Sequence, residues 1–146
     1  MNIPGLQRTT DNKLAGSIRL LLAVLFVMTG TMKLVVPMLA DAWSGQLLAS
    51  GLPFHELSRW SVPVIEIFVG FVLGVGLYTR PAATVVIGIM TVATYVHVVV
   101  DDPSLFPLQP SEPIIPLAVI AMCLYLLWRG GGSWSKDLAA TRVASR

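Results

Sequence analysis

A chain of 146 residues, 55% apolar and only 12% charged, has room for one domain. Soluble domains are charged at about a quarter of their positions. With a mean hydropathy of +0.75, the composition therefore excludes an ordinary water-soluble globule and makes lipid the solvent. A net charge of +2 without a dense basic run excludes nucleic acid as a partner, and the single cysteine, Cys123, excludes an internal disulfide or a CxxC pair.

The expected fold is all-α, a transmembrane four-helix bundle over 17–129 between an N-terminal segment, 1–16, and a tail, 130–146. The first span, 17–36, stops at Pro37, and Thr29-Gly30-Thr31 near its far end allow close helix contact. It is too long for a signal-peptide core, and Lys33 and Pro37 stand where a small-residue cleavage site belongs. From Met38 to Ser50, apolar residues at Met38, Leu39, Ala42, Trp43 and Leu47 keep helical spacing until Gly51 and Pro53 end the run. The spacing predicts a short interfacial helix between helices 1 and 2, with Trp43 at headgroup depth.

The second span covers 61–77 and the third 81–100, where Pro81 suits a first helical turn. The fourth covers about Ile114 to Trp128, or 112–128 where Ser111 caps an extension from Glu112, and Gly130, Gly131 and Gly132 are its stop. Ser135 then caps a tail helix running through Val143. Each span must be helical, because lipid offers nothing to free backbone N–H and C=O groups. Trp43, Trp60, Trp128 and Trp134 each fall at a predicted boundary, as interface anchors do.

Basic residues set the direction. Arg8, Lys13, Arg19, Arg80, Arg129, Lys136, Arg142 and Arg146, eight of the ten, gather on one side. Asp41, Glu56, Arg59, Asp101, Asp102 and Glu112 take the other. Both termini are thus expected on the cytoplasmic side of the membrane.

Charge inside a bilayer costs at least about 3 kcal/mol unless paired, neutralised or wetted, so Lys33 and Glu66 within the spans need a reason. Lys33 lies 16 residues beyond Ser17, about 24 Å along the helix. Glu66 is five residues into a helix that enters from the other side, about 7 Å deep. His97, 16 residues past Pro81, reaches the same layer. Glu66, Gly70 and Gly74 recur at four-residue steps on one stripe, so the carboxylate should face a neighbouring helix across a GxxxG contact.

Three readings fit these residues: Lys33 snorkelling to the outer headgroups, a structural Lys33–Glu66 ion pair, or a small polar pocket handling protons for a quinone or other ligand. No metal is expected, since His55 and His97 are the only histidines and have no ligand spacing. Cys123, within the last apolar run, reads as a buried inert thiol.

The ordered set Gly30-Thr31-Met32-Lys33-Leu34, Gly51-Leu52-Pro53, Glu66 with Gly70, Gly76-Leu77-Tyr78-Thr79-Arg80, Val96-His97 and Gly130-Gly131-Gly132-Ser133-Trp134-Ser135-Lys136-Asp137 resembles the DoxX family of small membrane proteins. The resemblance runs from about Ser17 to Asp137 and implies a four-helix membrane bundle linked to redox chemistry. It also makes Lys33, Glu66 and His97 the catalytic or ligand-binding candidates. No haem or flavin signature appears, and one cysteine runs no thiol–disulfide cycle, which weighs against an independent oxidoreductase.

The expectation is therefore an accessory subunit of an inner-membrane, quinone-linked redox complex, with quinone the one ligand implied and redox-complex subunits its partners in the bilayer. A stand-alone quinone-binding oxidoreductase is the alternative. A small transporter or a structural scaffold, with or without homo-oligomers, follows.

Overall fold

Helix α1 (Lys13–Val35) begins where the Asn12 side chain accepts the Ala15 N–H at 2.9 Å, a side-chain N-cap. Pro37 cannot continue it but suits the first turn of α2 (Pro37–Ala49). After these come α3 (His55–Val75), α4 (Thr79–Val99), α5 (Ile114–Arg129) and α6 (Lys136–Ala144). Short 3-10 turns cover Gly5–Gln7 and Pro103–Leu105. The computed structural model describes residues 5–144, and no strand occurs among the described residues. Arg146, counted above with the basic residues of one side, lies outside them.

Three helices, α1, α3 and α4, are long and apolar enough to cross a membrane. The fourth apolar helix, α5, has 16 residues, about 24 Å against a hydrocarbon core of about 30 Å. It begins at Ile114, and the extension from Glu112 does not form. Pro113 disfavours helical backbone at Glu112 and itself takes the N-cap position of α5, while the Ser111 carbonyl bonds to His97. Helix α3 differs more, starting at His55 and not at 61, so that Pro63 lies inside it. The tail helix forms as read, with the Ser135 hydroxyl accepting the Leu138 N–H at 3.1 Å.

Leu22, Phe26, Val69, Leu73, Val86, Val119, Cys123 and Leu126 fill the bundle interior. Val24, Phe68, Phe71, Val98 and Leu124 point outward, the apolar exterior that lipid requires. Helices α1 and α3 approach most closely. A Cβ added at Gly30 would lie 2.7 Å from the Pro63 carbonyl oxygen, and one at Gly70 2.9 Å from the Val27 nitrogen. Only glycine permits that spacing. At Gly74 the nearest atom would be Ala23 Cβ at an ordinary 3.7 Å, so this position does not demand glycine.

One end of the bundle collects the chain ends and the α3–α4 turn, here called the termini end. Its centre is Arg19, wholly buried. Nε donates to Gly131 O at 2.9 Å, Nη1 to Leu73 O and to Gly74 O at 2.8 Å, and Nη2 to Ser133 O at 3.3 Å and Trp134 O at 3.2 Å. From the sequence Arg19 counts only as one of the basic residues that set the direction of the spans. It is instead inside α1, where its planar fork is matched by backbone carbonyls.

Asp137 completes this end. Its two carboxylate oxygens accept the Tyr78 and Thr79 N–H groups at 3.0 Å each, capping α4 with negative charge where the helix dipole favours it. The glycine at the α3 stop is obligatory, because Gly76 has φ +68° and an added Cβ would sit 2.8 Å from Ser135 Cα.

Candidate functional site

The opposite, distal end holds α2, the start of α3, the end of α4 and the α4–α5 connection. Gln46 Nε2 donates to Leu105 O, and the Tyr95 hydroxyl to Ser50 O at 3.3 Å. Beneath them lies a cavity of about 370 Å³, lined from α1 to α5 by Lys33, Gln46, Glu66, Gly88, His97 and Val119 among others. A second lobe of about 300 Å³ shares Lys33, Trp43, Gln46 and Gln109 with it and opens toward Met28, Met32 and Leu108. The walls are predominantly apolar and the polar groups few, as in small-molecule sites generally.

Lys33 and Glu66 meet. Lys33 Nζ lies 2.6 Å from Glu66 Oε1, with the lysine side chain 23% exposed and the glutamate 1%. The contact is a short charge-assisted hydrogen bond, set up by the close α1–α3 crossing at Gly30, where an added Cβ would lie 3.1 Å from Glu66 Cβ. Glu66 Oε2 is also buried and has no hydrogen-bond partner among the described residues. A buried carboxylate oxygen without a partner is costly, and here it belongs to a residue that lines a cavity.

Trp43 departs from expectation. It was read as an outer anchor at headgroup depth, but its ring lies 4.7 Å from Lys33 Nζ and its Nε1 donates to Arg59 O at 3.2 Å. The cause is Pro63. A proline lacks the N–H that would bond the carbonyl four residues earlier, so Arg59 O is released inside α3 and the indole N–H takes it. That bond turns Trp43 toward the bundle and puts its π face beside the ammonium. Trp60, Trp128 and Trp134 are exposed, at 58%, 69% and 64%, as anchors should be.

His97 lines the same cavity. Its ring packs on Phe106 at 4.5 Å between centroids, and Nδ1 is 2.8 Å from Ser111 O. A carbonyl only accepts, so Nδ1 carries the proton and Nε2 is the acceptor nitrogen of the neutral ring. Asp101, Asp102 and Glu112, expected near this layer, are exposed and line neither lobe.

Gln46, 8% exposed, had no place in the sequence reading, nor did Gln109. A signal for Gln46 existed. It falls in the same stripe as Leu39, Ala42, Trp43 and Leu47, a polar residue on an apolar helix face.

A small helical membrane protein with one buried ion pair in an amphipathic cavity is the class this architecture defines. The DoxX family model matches residues 15–99, more than half of the chain and the stretch that holds Lys33, Glu66 and His97. The chain belongs to the DoxX family. No curated protein and no solved structure matches it.

Proposed function

We propose that the chain is an accessory subunit of a quinone-linked redox complex in the bacterial inner membrane, and that its distal cavity receives the quinone head. The observation that carries this reading is the half-satisfied ion pair: Glu66 Oε2 without a partner, beside an ammonium, in an otherwise apolar cavity. The donor and acceptor set fits such a head. Lys33 has donors beyond the one given to Glu66 Oε1, Gln46 and Gln109 line the same space, and the Trp43 ring offers an apolar face.

A quinol bound there would supply two electrons and two protons, with the electrons passing to a partner redox subunit. The chain's own residues manage charge and protons. Lys33 holds positive charge against Glu66 and directs a donor toward an acceptor oxygen. Glu66 offers Oε2 as a proton acceptor, and His97, fixed at Nδ1 by Ser111, offers Nε2 as a second one at the end of α4.

The test is mild extraction from native membranes, with mass spectrometry of co-eluting proteins and lipids. Redox subunits and quinone recovered with the wild-type chain, and quinone lost in Glu66→Gln, are the expected result. A lone chain that turns over quinone with a soluble donor replaces the accessory reading with the stand-alone enzyme. A lone chain without quinone sinks both.

A further inference from the structure

At the termini end, away from the distal cavity, three guanidinium groups surround one space. Arg8, Arg80 and Arg129 line a cleft of about 420 Å³ with Thr9, Thr10, Thr141 and Trp128. Among the described residues no carboxylate lines it. The nearby acids are engaged elsewhere, Asp11 with Ser133 and Arg142 at 2.6 Å each, and Asp137 with the first N–H groups of α4. Like charges gathered without a counter-charge repel one another, so the cluster calls for an anion.

The donors are only partly used. Arg80 gives Nη1 to Gly5 O at 3.0 Å and Nη2 to Trp128 O at 3.2 Å. Its Nε and the Nε of Arg129 are both buried and lack an acceptor among the described residues. The Arg129 guanidinium lies over the Trp128 ring at 4.3 Å, which holds it in place. Guanidinium forks match oxyanions that present two or more oxygens. Trp128, 69% exposed at the last turn of α5, marks where the apolar exterior gives way to headgroups, the depth at which lipid phosphates lie.

We propose that this cleft binds a phosphate oxyanion, presented by the headgroup of an anionic phospholipid in the leaflet at the termini end. The test uses the purified full chain in neutral detergent, titrated separately with phosphatidylglycerol, phosphatidylcholine and inorganic phosphate, and read by native mass spectrometry. One saturable phosphatidylglycerol adduct is expected, with phosphatidylcholine binding much weaker. Arg129→Gln weakens it about tenfold or more, as loss of a charge-assisted bidentate partner should. Arg8 is exposed, so Arg8→Gln reports the same loss even where Arg80→Gln or Arg129→Gln fails to fold. Lys136→Gln, at the same end but outside the cleft, leaves binding unchanged. Saturable binding of inorganic phosphate with none of phosphatidylglycerol overturns the lipid as source. Equal loss in Lys136→Gln and Arg129→Gln overturns the site itself, since bulk positive charge would then suffice.

Discussion

Helix α1 buries a cation at each end of the bundle, and the two are treated oppositely. Arg19 at the termini end is saturated by carbonyls of α3 and of the Gly131–Trp134 loop. Lys33 at the distal end has one carboxylate oxygen, and the other oxygen of that carboxylate is left without a partner among the described residues. A fully bonded polar network fixes a structure, whereas a partly bonded one lies at higher energy and is open to change. The Arg19 network reads as architecture and the Lys33–Glu66 pair as a place where something binds.

The largest effect should come from Arg19→Leu. Five hydrogen bonds disappear and buried carbonyls on two elements lose their donors, so about 4 kcal/mol or more of stability goes. Thermal unfolding in detergent measures it. If this variant unfolds no earlier than Lys33→Met, the contrast between the two ends is wrong.

Next is the ion pair, where the two single substitutions should differ. Lys33→Met strands a carboxylate that is 1% exposed and should cost about 3–5 kcal/mol. Glu66→Leu leaves a lysine that is 23% exposed and able to snorkel, at a cost of about 1–2 kcal/mol. Lys33→Met with Glu66→Leu should recover most of the stability lost by Lys33→Met, because the pair is replaced by apolar volume. A double-mutant cycle with strictly additive losses would show that the pair contributes no coupling. Quinone retention should be lost in the double variant whatever its stability, and retention in a stable double variant would make the pair purely structural.

Gly88 sharpens the distal half of the comparison. It is exposed, lines the cavity, and a Cβ there meets nothing within 4 Å. Gly88→Leu should therefore keep the fold or stabilise α4 by up to about 1 kcal/mol, from helix propensity. At the same time the new side chain should obstruct the cavity between α3 and α4. Quenching of Trp43 fluorescence by an added quinone should then need about tenfold more ligand, roughly 1.4 kcal/mol of binding. Unchanged quenching would move the ligand's entrance to the other lobe, near Met28 and Leu108.

The smallest effect lies in the α4–α5 connection. Asp102 accepts hydrogen bonds from the Ser104 hydroxyl and backbone, and these hold its carboxyl below the ordinary value of 3.8. The folded value is depressed, so the contribution is present above the unfolded value and disappears as pH falls through the folded one. At neutral pH it is complete. Ser104→Ala should raise the Asp102 titration midpoint toward 3.8, and an NMR titration that does not move would assign the shift to another cause.

Much of the distal site was legible because depth in a bilayer can be counted along a helix. Lys33, Glu66 and His97 were assigned to one layer from helical rise alone, and they line one cavity. Gly30 and the Glu66–Gly70 stripe likewise pointed to close helix contacts, and the structure makes them one contact between α1 and α3. What escaped depends on contacts between elements distant in sequence. Arg19 looked like one more direction-setting charge because its acceptors lie far off in the sequence, at the end of α3 and in the tail. Trp43 looked like an anchor because the carbonyl that turns it inward is released by Pro63, and Pro63 sits inside α3 only once the helix is known to begin at His55. The extension of α5 to Glu112 does not form because the restriction Pro113 puts on Glu112 outweighs capping by Ser111.

The bonds of Arg19 also bear on how the chain is made. A ribosome delivers α1 before α5, yet three of the carbonyls that complete Arg19 belong to Gly131, Ser133 and Trp134, the first of them 112 residues further on. Until those residues emerge, the nascent first helix carries a cation it cannot satisfy within the bundle. Final seating of that helix therefore waits for the Gly131–Trp134 loop to be made, and a chain truncated before Gly131 should be recognised as unfinished by the membrane quality-control proteases.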